Sequence, residues 1–202
     1  MLLDVKEAGR RPMTLEAWAD LDEDEGGELV DGVLVEEEVP TFIHEAIVIF
    51  LGALLRAWAR PRPVLIGASE AKFAVAPGRG RKPDLFAYLP GSKRPPTNAS
   101  VSHVPPDILV EIVSARPRDV RRDRVEKLSE YAAFGVKTYW LVDPAARTFE
   151  ILLLGADGHY SHRVSASGGR IEEVPLCEGL VIDLDALWTE LDQLESEPGQ
   201  EE

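Results

Sequence analysis

Residues 108 to 113 constrain the fold more than any other part of the chain. The segment reads Ile-Leu-Val-Glu-Ile-Val, so it is apolar and mostly β-branched except for one glutamate, Glu111. A strand that is apolar at nearly every position belongs at the centre of a sheet that is covered on both faces. A carboxylate in such a strand is strongly unfavourable, or stays protonated, unless a partner compensates it. The sequence therefore predicts a partner for Glu111, and a divalent metal ion is one candidate.

Helix and strand patterns on both sides of this segment define the fold class. Helices are predicted for residues 15–18, 42–60, 119–134 and 184–194, from capping residues and apolar side chains spaced three and four apart. Strands are predicted for a hairpin within 28–36 and for 64–66, 71–76, 85–89, 138–142, 149–154 and 159–164, with 77–80 as a turn and 90–106 as a surface loop. This order is typical of the α/β class (mixed α+β), in which a central mixed β-sheet is flanked by helices.

The longest predicted helix, residues 42–60, carries a regular apolar stripe. Its members recur at steps of three and four residues: Ile43, Ile47, Phe50, Leu54 and Trp58. Such a stripe indicates a helix that lies against a sheet.

The chain has 202 residues, which corresponds to one ordinary domain with a single core. We expect this domain to span residues 1–194, with a core of about 14–154, a C-terminal hairpin and helix in 155–194, and an acidic disordered tail in 195–202. The single cysteine, Cys177, excludes disulfides within the chain and a cysteine-based zinc site, which predicts a reducing, cytoplasmic setting. The longest apolar run, residues 46–55, is about half the roughly 20 residues of a membrane span, so no membrane association is predicted.

The net charge of −14 conceals a basic region. Of the 36 acidic residues, ten lie in residues 20–38 and eight in 183–202, and neither stretch contains a lysine or arginine. Setting these 18 aside leaves 18 acids against 22 bases, a net charge of +4. Residues 79–127 hold eleven bases against six acids, including five arginines within 116–124. These arginines suit phosphate contacts, although a solvated face balanced by neighbouring glutamates is the alternative.

Asp84 is a natural companion for Glu111. It follows Pro83 at the start of a predicted strand, and 26 residues separate it from Glu111. Two carboxylates that converge from neighbouring strands form an oxygen-rich site suited to Mg²⁺ or Mn²⁺. An aspartate after a proline is also a common turn residue, which is the alternative interpretation.

Several short motifs, taken in chain order, resemble those of one protein family. They are Glu28-Leu-Val-Asp-Gly32, His44, Pro83-Asp84-Leu85, the run 106–114 that contains Glu111, Asp123 with Lys127 and Tyr131, Gly135-Val136, and Tyr139-Trp-Leu-Val-Asp-Pro144. On these motifs the chain resembles the Uma family of putative restriction endonucleases, within the PD-(D/E)xK nuclease superfamily. The resemblance runs from about Thr14 to Leu154.

This resemblance implies a restriction-endonuclease-like core and metal-dependent hydrolysis of DNA phosphodiester bonds, with Mg²⁺ or Mn²⁺ as the cofactor. Asp84 and Glu111 would then be catalytic residues and metal ligands, and Glu28 would be a further metal ligand. DNA is the expected partner. A homodimer is expected by analogy, because cleavage of both strands requires two active sites.

The chain departs from the superfamily motif at Val113, where the catalytic lysine is expected. At 100° per residue, the predicted helix 119–134 places Lys127 on a side that is otherwise apolar, and this helix directly follows the Glu111 strand. This placement favours Lys127 as the catalytic lysine. Lys82 competes for the role, since residues two apart share a strand face and Asp84 is its neighbour.

The candidate substrate-binding residues are Lys82, His44, Arg121 and Arg122. Simpler interpretations stand beside these roles. Lys127 can form an ordinary ion pair with Asp123, four positions earlier on the helix. His44 can be a structural residue that bonds locally at the helix start.

The sequence also leaves two other classes of function open. Val113 at the usual lysine position and the charge of −14 are compatible with a catalytically inactive nuclease-fold module for interaction or regulation. A structure-specific or RNA-directed nuclease is the third class, since no base-reading helix or zinc finger is recognisable.

Overall fold

The computed structural model describes residues 12–21, 26–35, 39–114 and 120–196. Helices α1 to α4 comprise Leu15–Ala19, Phe42–Ala59, Lys127–Phe134 and Leu184–Ser196, and a π-helical turn, Arg122–Glu126, leads into α3. Strands β1 to β12 comprise, in order, Glu28–Val30, Val33–Val35, Leu65–Ala68, Phe73–Ala76, Arg79–Arg81, Leu85–Tyr88, Ile108–Ile112, Thr138–Asp143, Thr148–Leu154, Tyr160–Ala166, Arg170–Ile171 and Ile182–Asp183.

The main sheet has six strands in the order β10-β9-β8-β7-β6-β3. Strands β7 and β8 are parallel, and the other neighbours in this sheet are antiparallel. All five residues of β7 are buried, as the apolar run predicts for a strand with neighbours on both sides. The predicted class, a central mixed β-sheet flanked by helices, is confirmed.

Alternate residues of β7 belong to two different cores, one on each face of the sheet. Ile108, Val110 and Ile112 pack in a cluster with the buried residues of α2 and α4. Leu109 belongs to a second cluster, which includes Val113 and residues of β4, α3 and β8. Glu111 has the same parity as Leu109, so its carboxylate lies on the face that α3 covers.

The second sheet is small and has the order β2-β1-β5-β4. Strand β5, Arg79–Arg81, corrects the prediction of a turn over residues 77–80, because only the start of that segment turns. The sequence Arg-Gly-Arg has no apolar residue, so the usual strand pattern is missing. Its pairing depends instead on tertiary contacts: Gly80 lies against the ring of the fully buried Trp18, and Arg81 is buried among carboxylates.

Helix α2 packs against the main sheet, although its most buried stripe differs in part from the predicted one. Ile47, Leu51 and Leu55 are almost completely buried, whereas the other predicted members are partly buried around this cluster. Within the described residues, α2 is also the one helix long and apolar enough to cross a membrane by length and composition, with 28% of that window buried. Core helices of soluble proteins pass the same test.

The predicted helix 119–134 is not a uniform α-helix. Its turn Arg122–Glu126 is π-helical, and α3 then ends at Gly135, which adopts the left-handed C-cap conformation (φ 98°) expected for glycine. The first residue of the predicted helix, Asp119, lies outside the described residues, as do Arg116 and Arg118, which precede it.

The C-terminal part contains two short strands, β11 and β12, that were not predicted, and β10 runs to Ala166, beyond the predicted end at 164. Helix α4 continues to Ser196, two residues past its predicted end. The predicted acidic tail from residue 197 onward lies outside the described residues, as do residues 22–25 and 36–38 of the first acidic stretch.

The contact between Gly80 and Trp18 provides a test of the small sheet. A Cβ atom at residue 80 would overlap the Trp18 ring, so Gly80→Ala should lower the free energy of unfolding by about 1–3 kcal/mol. Gly52→Ala is the matched control, because its Cβ would meet Leu85 at an ordinary 3.7 Å and alanine favours a helix interior. Urea unfolding measures both. Equal stability of Gly80→Ala and wild type would contradict this packing.

Candidate active site

A cavity of about 1040 Å³ lies where the strands of the main sheet meet the small sheet and the first turn of α2. Most of the candidate residues line it: Glu28, His44, Lys82, Asp84, Glu111, Arg122 and Lys127. Asp123 lines it as well. Arg121 does not line it; its side chain is 76% exposed and its Nε is 3.7 Å from Glu126 Oε1.

Asp84 reaches the cavity from the residue just before β6. Because Leu85 pairs with Val110, the next step of the same register sets Asp84 beside Glu111. Its Oδ2 accepts a hydrogen bond from the Ile112 backbone N–H at 2.6 Å, and its Oδ1 lies 3.0 Å from His44 Nε2. Backbone pairing of β6 with β7 therefore fixes this carboxylate in place.

His44 joins the first turn of α2 to Asp84. Burial alone would lower the pKa of His44, but the hydrogen bonds and charges of Asp84 and Glu45 outweigh burial and raise the pKa above its usual value. The ring thus serves both as a helix-start residue and as a partner of the cavity carboxylate. Its predicted contact with substrate stays a prediction.

Glu111 has the partner that its burial requires. Its carboxylate accepts a hydrogen bond from Tyr131 Oη at 2.6 Å and lies 3.0 Å from Lys127 Nζ. Burial nevertheless raises the pKa of Glu111 well above its usual value, and the charges of Asp84 and Asp123 add to this shift while Lys127 opposes it. Both oxygens of this central-strand carboxylate are thus held by α3.

Lys127 stands among three buried carboxylates. Its Nζ is 3.0 Å from Glu111 Oε2, 3.2 Å from Glu28 Oε1 and 3.4 Å from Asp123 Oδ1. Burial opposes the charged form, but the carboxylates outweigh it and raise the pKa of Lys127. The predicted proximity of Lys127 to Glu111 is present, and so is the ordinary i, i+4 pair with Asp123.

Asp123 is a cavity carboxylate that the candidate residues did not include. It lies in the π-helical turn and is 2% exposed. Its Oδ1 is buried and accepts no hydrogen bond from the described residues, although it faces Lys127 and Arg122 Nε at ion-pair distance. Burial raises the pKa of Asp123. The spacing Asp123–Lys127 was the available signal, but a helix-surface pair has the same spacing.

Arg81 is the second residue that sequence reasoning missed. It is fully buried, and its guanidinium donates to Glu28 Oε2 at 2.7 Å and, through two nitrogens, to both oxygens of Glu130. Burial would raise the pKa of Glu28, but the charges of Lys127 and Arg81 outweigh it and lower the pKa. Glu28 is therefore an ionised carboxylate held between two cations.

Lys82 occupies the other side of the cavity. Its backbone N–H donates to Glu28 Oε1 at 3.3 Å, and its Nζ lies 2.8 Å from the exposed Glu70. The two candidate lysines thus differ in surroundings. Lys127 faces the carboxylate of the central strand, whereas the buried side chain of Lys82 pairs with the exposed Glu70.

The donor chemistry of the cavity fits a hard divalent cation. Six carboxylates line it, one of their oxygens (Asp123 Oδ1) accepts no hydrogen bond from the described residues, and the described lining contains no cysteine. Across 12–21, 26–35, 39–114 and 120–196, however, no group of three or more His, Cys, Asp or Glu side chains is placed to hold a metal ion by itself. This is compatible with Mg²⁺, which commonly takes one or two carboxylates and completes its shell with water and substrate phosphate.

Removal of Arg81 should destabilise the fold strongly. Arg81→Met removes one buried cation from both Glu28, which keeps only Lys127, and Glu130, which keeps only the partly exposed Arg79, so we expect a loss of about 3 kcal/mol in the free energy of unfolding. Arg121→Met, an exposed arginine, should change it by less than about 0.5 kcal/mol. Urea unfolding at neutral pH compares the two. A loss below about 1 kcal/mol for Arg81→Met would contradict the pairing.

Comparison with known proteins gives two similarities. A family model described as "Uma2: Putative restriction endonuclease" matches residues 13–185. The chain is also similar in structure to a putative nuclease belonging to DUF820 from Anabaena variabilis ATCC 29413, with a TM-score of 0.69 and 17% identity over 88% of this chain and 98% of that one. At this identity the structural likeness shows a shared fold. No curated protein matches the sequence.

Proposed function

Because the chain belongs to the Uma2 family of putative restriction endonucleases, we propose that it is a metal-dependent endonuclease that hydrolyses phosphodiester bonds in DNA. The observation that most supports this proposal is the pairing of Glu111, in the central strand, with Lys127 at 3.0 Å beside Asp84 in one open cavity. A structural ion pair in a core does not need a cavity of this size. Metal-dependent phosphodiester hydrolysis can use such carboxylates to hold the ion and an ammonium group to stabilise charge, and it needs room for a phosphate.

Asp84 and Glu111 are the proposed ligands of Mg²⁺ or Mn²⁺. When bound, such an ion lowers the pKa of a coordinated water and neutralises charge on the phosphate. The chain prepares both carboxylates for this role: the Ile112 N–H and His44 orient Asp84, and Tyr131 orients Glu111. Each ligand is thus held by groups that do not themselves need to bind the ion.

Glu28 was predicted as a further metal ligand. Its two oxygens face two cations, Arg81 and Lys127, whereas one oxygen of Glu111 accepts from the neutral Tyr131 hydroxyl, so the charge of Glu28 is already the more fully compensated. These contacts suit another role, which is to hold the Lys127 ammonium beside Glu111. We therefore propose that Glu28 orients Lys127 and that the metal is bound chiefly by the other two carboxylates.

Lys127 is the proposed catalytic lysine. Its raised pKa keeps the ammonium protonated at neutral pH, so it cannot act as a base there. It can stabilise negative charge that develops on the phosphate oxygens and hold the attacking water by a hydrogen bond. Val113, at the usual lysine position, is buried in the second core, so its own position supplies no cation.

DNA as the substrate, with contacts from Arg121 and Arg122, stays a prediction, as do the homodimer and the cytoplasmic setting. Arg122 lines the cavity beside Asp123 and is the better placed of the two arginines. Arg121 is the exposed residue just before the π-helical turn, where it can contact phosphates only outside the cavity.

Incubation of the purified chain with supercoiled plasmid tests the proposed activity. We expect nicking or linearisation with Mg²⁺ or Mn²⁺, none with EDTA, and loss of cleavage in Asp84→Asn and Glu111→Gln. Parallel reactions with single-stranded DNA and RNA identify the substrate class. A folded wild-type chain that cleaves none of these with either metal would favour the catalytically inactive module.

The role of Lys127 predicts a difference between the two candidate lysines. Lys127→Met should lower single-turnover cleavage by about 10²-fold or more, because charge stabilisation in the transition state is lost. Lys82→Met should have a much smaller effect, since its Nζ pairs with the exposed Glu70 and not with the carboxylate of the central strand. Circular dichroism must show both variants folded, because Lys127 also compensates buried carboxylates. An active Lys127→Met together with an inactive Lys82→Met would transfer the role to Lys82.

A further inference from the structure

The outward face of α2 presents large apolar side chains to solvent in its first half and arginines at its C-terminal end. Phe42 and Ile49 are its exposed large apolar side chains, 92% and 68% exposed, while the opposite face packs on the main sheet. One line of residues on this face is spaced alternately four and three apart, and we call it the outer seam: Phe42, Ala46, Ile49, Ala53, Arg56 and Arg60. This spacing is the one by which two helices pack lengthwise, and its two alanines permit close approach.

The two ends of the outer seam have opposite character. Glu45 lies in the first turn of α2, next to Phe42, whereas Arg56 and Arg60 lie at the C-terminal end. Among the described residues, neither arginine forms an ion pair. One end of the outer seam thus has a carboxylate and an aromatic ring, and the other end has two cations. A second outer seam that runs in the opposite direction would bring each end against a group that it attracts.

We propose that the outer seam binds the outer seam of a second copy of this chain. The two α2 helices would run antiparallel, and the two-fold axis would cross the outer seam at the level of residue 51 along the helix. Residues placed symmetrically about that point then meet. Ile49 packs on Ala53 of the partner subunit, and Phe42 lies against Arg60 of the partner subunit, a cation–π arrangement. On the same flank, Glu45 meets Arg56 of the partner subunit, and each contact occurs twice.

A parallel arrangement of the two α2 helices would bring like charges together. It would set each residue of the outer seam opposite its own copy, so Arg56 and Arg60 would face like charges and Glu45 would face another carboxylate.

This dimer brings cations to the cavity of each partner, a consequence that rests on the proposed nuclease function. The first turn of α2 borders the cavity, through His44 and Glu45 among others. The lysines and arginines that line the cavity each face a carboxylate within the same chain: Lys82, Arg122, Lys127 and Arg147. Of the two arginines that the partner brings to this turn, Arg56 of the partner subunit is paired with Glu45, whereas Arg60 of the partner subunit faces no carboxylate and can contact a phosphate that flanks the bond to be cut.

Sedimentation over a range of concentrations tests the interface without any reference to activity. We expect a monomer–dimer equilibrium for the full chain. Glu45→Arg alone and Arg56→Glu alone should each weaken dimerisation by about tenfold or more, because two symmetric pairs become repulsive. The double variant Glu45→Arg/Arg56→Glu restores opposite charges and should regain most of the wild-type affinity. Ile49→Asp should abolish the dimer.

The matched control is Arg163→Glu, the same charge change on the exposed surface of β10. It should dimerise as wild type does. A monomeric wild type at every concentration, single variants as tight as wild type, or a double variant as weak as the singles would each overturn the proposal. Binding of the monomer to phosphatidylcholine vesicles that is lost in Ile49→Asp would instead assign the outer seam to a membrane surface.

Complementation between two defective variants tests the shared site. Asp84→Asn has no working cavity but carries Arg60, whereas Arg60→Glu has a working cavity but cannot supply Arg60 to its partner. Mixing them should raise plasmid nicking above that of Arg60→Glu alone, since each mixed dimer contains one complete site. No increase, in a mixture shown to form mixed dimers, would overturn the shared site. If the wild type cleaves nothing, the proposed function fails, while sedimentation still decides the interface.

Discussion

The structure depends on the compensation of buried carboxylates by Lys127 and Arg81. Glu28, Glu111 and Asp123 come from the small sheet, the central strand and the π-helical turn, and all three lie within 3.4 Å of one ammonium group. Arg81 extends this network from Glu28 to Glu130 on α3. An uncompensated charge in this position is costly, so each layer can be buried only together with the others. The same contacts that join the layers therefore assemble the candidate site.

Several elements of this arrangement could be predicted from the sequence, because local patterns determine them. An uninterrupted apolar run requires a central strand, and β7 is one. The carboxylate of Glu111 then requires a cation, and only a residue that covers the same face of the sheet can supply it. Helical periodicity, together with the family resemblance, favours Lys127 over Lys82. These inferences need only the periods of strands and helices, the cost of a buried charge and the resemblance. The antiparallel pairing of β6 with β7, which sets Asp84 beside Glu111, comes from the structure alone.

The remainder depends on contacts that no local pattern encodes. Strand β5 contains no apolar residue, and its pairing is stabilised by the Trp18 ring over Gly80 and by the carboxylates around Arg81. An arginine is usually exposed, so nothing in the sequence marks Arg81 as fully buried. The π-helical turn could not be predicted either, because helix patterns in a sequence assume 3.6 residues per turn. It buries Asp123 and turns the backbone carbonyl of that residue to the Tyr139 hydroxyl at 3.0 Å.

The position of the lysine has a simple structural explanation. Val113 lies two residues after Glu111, on the same face of the sheet, but it packs in the apolar core beneath α3. Lys127 and Tyr131 are one helical turn apart, so a single helix face presents an ammonium group and a phenol to the two oxygens of Glu111. A lysine at position 113 could offer only the first of these. Because the cation lies on α3, the orientation of the Glu111 carboxylate depends on how this helix packs against the sheet. Any shift of α3 along β7 would change the contacts of Lys127 and Tyr131 with Glu111 together.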